Sequence, residues 1–501
     1  MRNLVVPTRK TYQLIYAMLF SFLAAWSIQN VYAVSSWKDL ILFGIIISGI
    51  LMTLYFARLA YDIKLPIPIL IIYLLIGSFF IGSGIISIDV GPIGVFPYRV
   101  FLGVMTLWLV IELFQRKYIL QAKFVRVKPT VYFFLFWVGY GLLSLVWVRS
   151  VTLGIKDFLF LVSGVLTILF VILFLYKQRD YLVFFYLWLA ADLLFILLGF
   201  WNHITHNHLP ISRLATAPAY IQGRPSAVFT NENDYASFMA IGIFFGFSLF
   251  NHSKNIMYKI LGLFVLLSGL YLILVSTSRA SVIAVLLGFL VWYLLLASKK
   301  EKIRIFWIGV ILSLLSGILF FERVKALVSN VINELASVLG NPEVEEGSVD
   351  IRKNLLRNGI EFVQDTFGFG IGAGNAEYYI KNLSIYPTYG QTNLHNWWAE
   401  IMVNYGLLIF TGYVLIYFGI IFKLYKAFKN SVSSQTKMIS EALFIGFIVF
   451  SISSISPSSV MTLSYTWLLF AFGLGYLNYL YLNKTNARDY QYEQHSTTYK
   501  N

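Results

Sequence analysis

The feature that most constrains this chain is the recurrence of apolar stretches about as long as a bilayer is thick. A spanning helix needs about 20 predominantly apolar residues. Fourteen segments answer to that template, at 12–33, 39–60, 66–86, 96–115, 130–148, 151–176, 181–201, 234–250, 260–275, 280–297, 305–321, 397–422, 440–457 and 460–482. Short runs such as 260–275 and crowded pairs within 130–176 leave the count at twelve to fourteen. Only 12% of residues are charged, against about 25% in soluble chains. The chain therefore reads as an all-α polytopic membrane protein and not as a soluble globular enzyme. The first run exceeds the roughly 7 to 15 apolar residues of a cleaved signal peptide.

Charge placement orients the spans, because cytoplasmic loops collect Lys and Arg. With fourteen spans, 25 of the 38 basic residues fall on the side of both termini. Both termini, residues 1–11 and 483–501, are thus expected in the cytoplasm, and the polar tail from Lys484 is expected to be disordered. The formal net charge of +15 is then a topological device at the cytoplasmic edge, and nucleic acid is not an expected partner. The absence of cysteine removes disulfides, thiolate zinc sites and a thiolate nucleophile.

Between the eleven spans of 12–321 and the last three spans of 397–482 lies one large external loop, 322–396. Val324, Leu327, Val328, Val331, Ile332, Leu335 and Leu339 recur at helical spacing, as do Ile351, Leu355, Leu356, Ile360, Phe362 and Val363. Two amphipathic helices over the membrane mouth are expected, with Ser348 as N-cap of the second.

Four external motifs could carry chemistry. Gly223-Arg224-Pro225-Ser226-Ala227-Val228-Phe229-Thr230-Asn231-Glu232-Asn233-Asp234 leads into a span. Its Arg224 is a charged fork suited to phosphate or carboxylate, and Asn231 and Asn233 belong to a polar cluster able to cap the helix. Ser276-Thr277-Ser278-Arg279-Ala280-Ser281 places Arg279 at the interface, where an arginine seeks an anion or snorkels to headgroups. Asn393-Leu394-His395-Asn396-Trp397-Trp398 puts His395 at a helix mouth, either as a proton shuttle near neutrality or as an interface histidine flanked by belt tryptophans. Phe367-Gly368-Phe369-Gly370-Ile371-Gly372-Ala373-Gly374-Asn375 matches no nucleotide loop and fits a tight turn against helices or a ligand.

Other residues carry less. His203, His206 and His208 have spacing that could catch a metal, but no carboxylate sits beside them, and an exposed loop is the expected reading. Asp192 lies mid-span, where a carboxylate is costly and an internal hydrogen bond is expected. Arg352, Lys353 and Arg357 sit on the second loop helix. No cluster of aspartates marks a metal site, and no cofactor is implied. Taken together, two arginines and a histidine at one external face suit a lipid diphosphate: arginines hold the anionic leaving group while the histidine takes a proton from an attacking hydroxyl.

At these residues the chain resembles the O-antigen ligase and polysaccharide polymerase family of membrane glycosyltransferases, which share the C-type fold. The resemblance runs from about Gly223 to Phe410, through GRPSAVFTNENDYA, STSRAS, DIRKNLL, FGFGIGAGN and LHNWWAEIMVNYGLL. It implies that Arg224 and Arg279 contact the diphosphate of an undecaprenyl-diphosphate-linked glycan, with Arg352 as a further ligand. It implies that His395 activates the acceptor hydroxyl, with Asn231, Asn233, Ser278 and Asn396 in support, in a metal-independent, inverting reaction. The family often carries Gly where Ala227 stands. A Lys-, Ile- and Asn-rich composition favours a polymerase of wall or capsular glycan over a ligase to lipid A, and a flippase and a chain-length regulator are natural partners. A flippase is the competing reading of fourteen spans, but its translocation path would need charges through the membrane, and only Asp192 and Glu400 lie well within spans.

Overall fold

The computed structural model describes residues 66–85, 88–90, 93–114, 124–304, 306–307 and 348–498. The described chain is helical apart from one antiparallel hairpin, β1 (Ile88–Val90) with β2 (Ile93–Val95), in the register Ile88 to Val95. The helices before the first external motif are α1 (Ile67–Ile85), α2 (Pro97–Phe114), α3 (Lys128–Ser144), α4 (Val151–Phe174), α5 (Gln178–Thr205) and the single turn α6 (Ala219–Gln222). Then come α7 (Glu232–His252), α8 (Ile256–Val275) and α9 (Arg279–Val291), which continues through a π-helical turn to Leu296. The loop helices are α10 (Ser348–Asp365) and α11 (Ala376–Leu383), followed by α12 (Trp397–Asn430), α13 (Ser434–Ser453) and α14 (Ser464–Thr498).

Among the described residues, eight helices are long and apolar enough to cross a membrane, as expected of a polytopic all-α chain. The expected spans at 12–33 and 39–60, nearly all of that at 305–321, and the first loop helix at 324–339 lie outside the described residues. Enclosure differs sharply among the rest. Protein covers 83% of the apolar stretch of α7 and 72% of that of α13, but 33% of those of α8 and α9. The first pair therefore forms the centre, and the second turns its sides outward to lipid. Trp188 of α5 stacks near-parallel on Phe238 and Phe245, fixing α5 to α7. Helices α7 and α8 meet backbone to backbone: a Cβ added at Gly262 would lie 2.4 Å from the Gly246 carbonyl oxygen, the close approach that small residues permit between helices in a membrane.

Several expectations are corrected. The polar tail continues α14 as helix to Thr498, because no Gly or Pro follows Gly475 to stop it. Ser348 is the first helical residue of α10 and not a residue ahead of it. A further helix, α11, follows the glycine motif. The span expected at 397–422 is a longer helix broken at Gly406, whose φ of 78° and ψ of 177° divide it in two. Trp397 is 1% exposed and donates from Nε1 to the Tyr413 hydroxyl at 2.6 Å, so it belongs to the core and not to an interfacial belt.

Candidate active site

The first motif is held from behind by α5. Asn202 Oδ1 accepts from the backbone N–H of Ser226 at 3.2 Å and of Ala227 at 2.8 Å. Ala227 is fully buried with φ 45°, a left-handed conformation that glycine adopts at less cost, which explains why Gly suits this position. The expected exposed His loop is instead a brace. His203 contacts the Gly223 carbonyl and the Tyr271 hydroxyl at 2.8 and 3.0 Å, and His208 contacts Ser226 Oγ and the Gln222 carbonyl at 2.9 and 2.7 Å. With these partners taken, the histidines serve structure, and among the described residues no group of three or more side chains could hold a metal.

The motif ends in the N-cap of α7. Asn231 Oδ1 accepts from the N–H groups of Asn233 and Asp234 at 2.9 and 3.0 Å, satisfying donors that a helix start leaves unpaired. Its Nδ2 donates to Asp234 Oδ2 and to Ser458 Oγ, both at 2.9 Å. Glu232, almost wholly buried, receives two arginines: Arg213 donates at 2.6 and 3.2 Å and Arg224 at 3.4 Å. One carboxylate against two guanidinium groups leaves a net positive charge here.

The second motif turns sharply at Thr277, which has φ 59°, and delivers Arg279 as the first residue of α9. Ser278 Oγ lies 3.1 Å from Ser281 Oγ and 3.5 Å from Ser456 Oγ. Ser456 in turn donates to Asn233 Oδ1 at 2.9 Å, so the first two motifs meet on one serine. Arg352, on the first turns of α10, is close enough to Arg279 for the neighbouring charge to add to burial in lowering its pKa.

The third motif supplies the histidine. His395 has φ 50° and immediately precedes Asn396, whose Oδ1 caps α12 by accepting from Trp398 N at 3.0 Å and Ala399 N at 3.3 Å. The imidazole Nε2 lies 3.4 Å from Gln391 Oε1, and Nδ1 is buried with the Ser456 and Pro457 backbone beside the ring. Burial, then the charge on Arg352, and more weakly that on Arg213 hold the ring below the usual imidazole range; the Ser456 and Pro457 backbone opposes this only in part. Burial and cationic neighbours accordingly favour the neutral imidazole. Left-handed non-glycine residues, Ala227, Thr277 and His395, thus stand in all three motifs, as strained backbone does where a site over-determines it.

The glycine motif supports α12. Gly368, Gly370, Gly372 and Gly374 all have positive φ. The N–H groups of Ile371 and Gly372 donate to the Val403 and Asn404 carbonyls at 2.9 and 3.0 Å, and Leu407 N donates to the Gly368 carbonyl at 2.8 Å. The loop thus satisfies the backbone groups freed by the break at Gly406, as irregular backbone at membrane depth requires.

A family model described as O-antigen ligase matches residues 262–414, the stretch that holds Arg279, Arg352 and His395. Over 430 residues the chain is 33% identical to the Bacillus subtilis (strain 168) protein described as Teichuronic acid biosynthesis protein TuaE, covering 84% of this chain and 86% of that protein. The chain belongs to the O-antigen ligase family. It is a multi-pass membrane protein of polysaccharide biosynthesis, of the ligase and polymerase type.

The fold of this O-antigen ligase family member gathers Arg279, Arg352 and His395 directly and places Arg224 beside Arg213 through Glu232. Asn231, Asn233 and Ser278 gather on Ser456 and Ser458, and Asn396 sets the helix that follows His395. Two features escaped the sequence reading. Arg213 stands in no motif and gains its meaning from Glu232, nineteen residues on. The segment Ser454–Ser459, bonded to all three motifs, falls at the end of the expected span 440–457 and in the gap before 460–482, and its four serines in Ser-Ile-Ser-Pro-Ser-Ser are a legible polar interruption. Asp192 is fully buried against Gly242, and neither oxygen has a hydrogen bond among the described residues, contrary to expectation.

Proposed function

We propose that this protein is a polymerase that joins undecaprenyl-diphosphate-linked repeat units on the outer face of the cytoplasmic membrane. The observation that carries the reading is a linked set of cations: Arg352 and Arg213 act on His395, Arg279 acts on Arg352, and Arg224 shares Glu232 with Arg213. His395 removes the proton from a hydroxyl of the acceptor glycan. The oxygen attacks the anomeric carbon of the donor, and the bond from that carbon to the diphosphate oxygen breaks with its electron pair passing to the diphosphate. The products are an extended glycan and undecaprenyl diphosphate. A single displacement inverts the anomeric centre. The arginines supply the positive charge that the leaving group needs, so the reaction proceeds without a metal. The teichuronic acid assignment of the Bacillus relative favours a wall polymer as product, and the Lys and Arg distribution supports an outward cationic face with both termini in the cytoplasm.

The test is the full-length protein in lipid nanodiscs, supplied with a lipid-diphosphate repeat unit and EDTA and no nucleotide sugar. A glycan ladder is expected. No ladder, or a ladder from the His395→Ala protein equal to that of the wild type, overturns the assignment.

A further inference from the structure

Beside the cationic cluster that acts on His395, the chain lines a cleft of different chemistry. Asn393 and Leu394, the residues just before His395, line that cleft together with Ser458 and Ser459 of the segment whose backbone supports the imidazole. The same cleft is lined by three carboxyl side chains, Asp157 of α4, Glu377 of α11 and Glu400 of α12, with the amide of Asn404 and the ring of Phe160. Glu400 fixes the cleft floor, accepting from Ser459 Oγ at 2.6 Å and from Val460 N at 3.1 Å, and Asp157 accepts from the Tyr405 hydroxyl. A carboxylate has about four lone-pair sites, so each retains capacity for a further donor.

We infer that this cleft seats the terminal sugar of the acceptor glycan, so that the donor diphosphate and the acceptor approach His395 from separate subsites. The inference rests on the transferase reading and adds a second substrate subsite to it. Closely set acceptors, amides and one aromatic face match a ring of hydroxyl groups, in the way that sites fix polar ligands with a few placed groups. The lining holds one cation, Lys156, and none of the arginines, which disfavours a diphosphate there. The three carboxyl groups equally disfavour a lipid chain. Specificity between the two substrates then comes from repulsion as well as attraction.

The probe is the repeat-unit glycan freed from its lipid by mild acid, which lacks a diphosphate and serves only as acceptor. With full-length protein in nanodiscs and labelled lipid-linked donor, Thr462→Trp, which fills the cleft, and Glu377→Ala, an exposed polar change, are expected to raise the acceptor KM by about tenfold or more with the donor KM unchanged. Saturation-transfer NMR of the freed glycan is expected to show binding by the wild type and its loss in these variants, even where no turnover is measured. Should both folded variants bind and use the glycan like the wild type, the acceptor cleft is wrong while the polymerase stands. Should the wild type bind the glycan and Thr462→Trp not, without any ladder, the cleft holds and the transferase reading falls.

Discussion

His252 and His395 are the same side chain in opposite surroundings, and α7 links them: its N-terminus builds the cationic cluster and its C-terminus carries His252. His252 Nε2 lies 3.0 Å from Glu441 Oε2, a close contact without hydrogen-bond alignment. Glu441 Oε1 accepts from Trp292 Nε1 at 2.6 Å, and Ser434 Oγ donates to the His252 carbonyl at 2.7 Å. That histidine has an anion beside it and ties three helices together. His395 lies under the charge of Arg352 and, more weakly, of Arg213. A histidine kept for packing is given a countercharge, whereas one surrounded by cations is kept neutral and ready to accept a proton.

The largest expected effect separates the two. His395→Ala is expected to lower the rate of chain extension by about 10²–10⁴-fold, the usual worth of a general base, with an unchanged unfolding midpoint. His252→Ala should do the reverse, leaving the rate intact while lowering the midpoint, because Glu441 stays buried with its neighbour removed. Equal loss of rate in both would erase the distinction. Next comes Arg279→Ala, expected to cost about 10²–10³-fold in kcat, as removal of one charge-stabilising donor does. Arg279→Lys should recover only part of this, because an ammonium group lacks the planar fork that matches a diphosphate.

A variant that disturbs the mouth without changing its charge sharpens the comparison further. An alanine Cβ at Gly406 would lie 2.4 Å from the Gly368 carbonyl oxygen, at a φ of 78°. Gly406→Ala is expected to destabilise the protein by about 1–3 kcal/mol from backbone strain and to unseat the glycine loop. Lower thermal stability together with a fall in activity checks this, and the His252 cluster should keep its resistance to hydrogen exchange.

How much of this was legible depends on the range of the signal. Span-length apolar runs and caps such as Asn231 and Asn396 are local, so the helices they start were readable from composition and spacing. The three motifs were readable too, since each compresses polar residues between apolar runs. What could not be read was pairing across sequence distance. Glu232 looked like a cap residue until Arg213 and Arg224 were seen to share it. Ser456 and Ser458, at and just beyond the end of the expected span 440–457, show nothing locally of the bonds they make with Asn233, Ser278 and Asn231. Nothing in residues 397–422 signalled that Gly406 breaks the helix, because the partner groups that make the break tolerable come from residues 368–372.

The smallest expected effect concerns pH and tests the cationic side of the comparison directly. The proposed mechanism requires His395 in its neutral form, so activity is expected to fall as pH drops through the pKa of the imidazole. Burial and the charge on Arg352 both lower that pKa, which extends activity into more acid conditions than an ordinary histidine, with a pKa near about 6.5, would allow. Arg352→Ala removes one of these two causes and leaves burial, so the acid limb of kcat should move upward in pH, toward the ordinary value without passing it. Arg213→Ala should move it in the same direction by less, because its charge is the weaker influence. His252→Ala should not move it at all. A limb that stays in place or moves to lower pH in Arg352→Ala would show that the guanidinium does not tune the imidazole, and the contrast between the two histidines would then rest on burial alone.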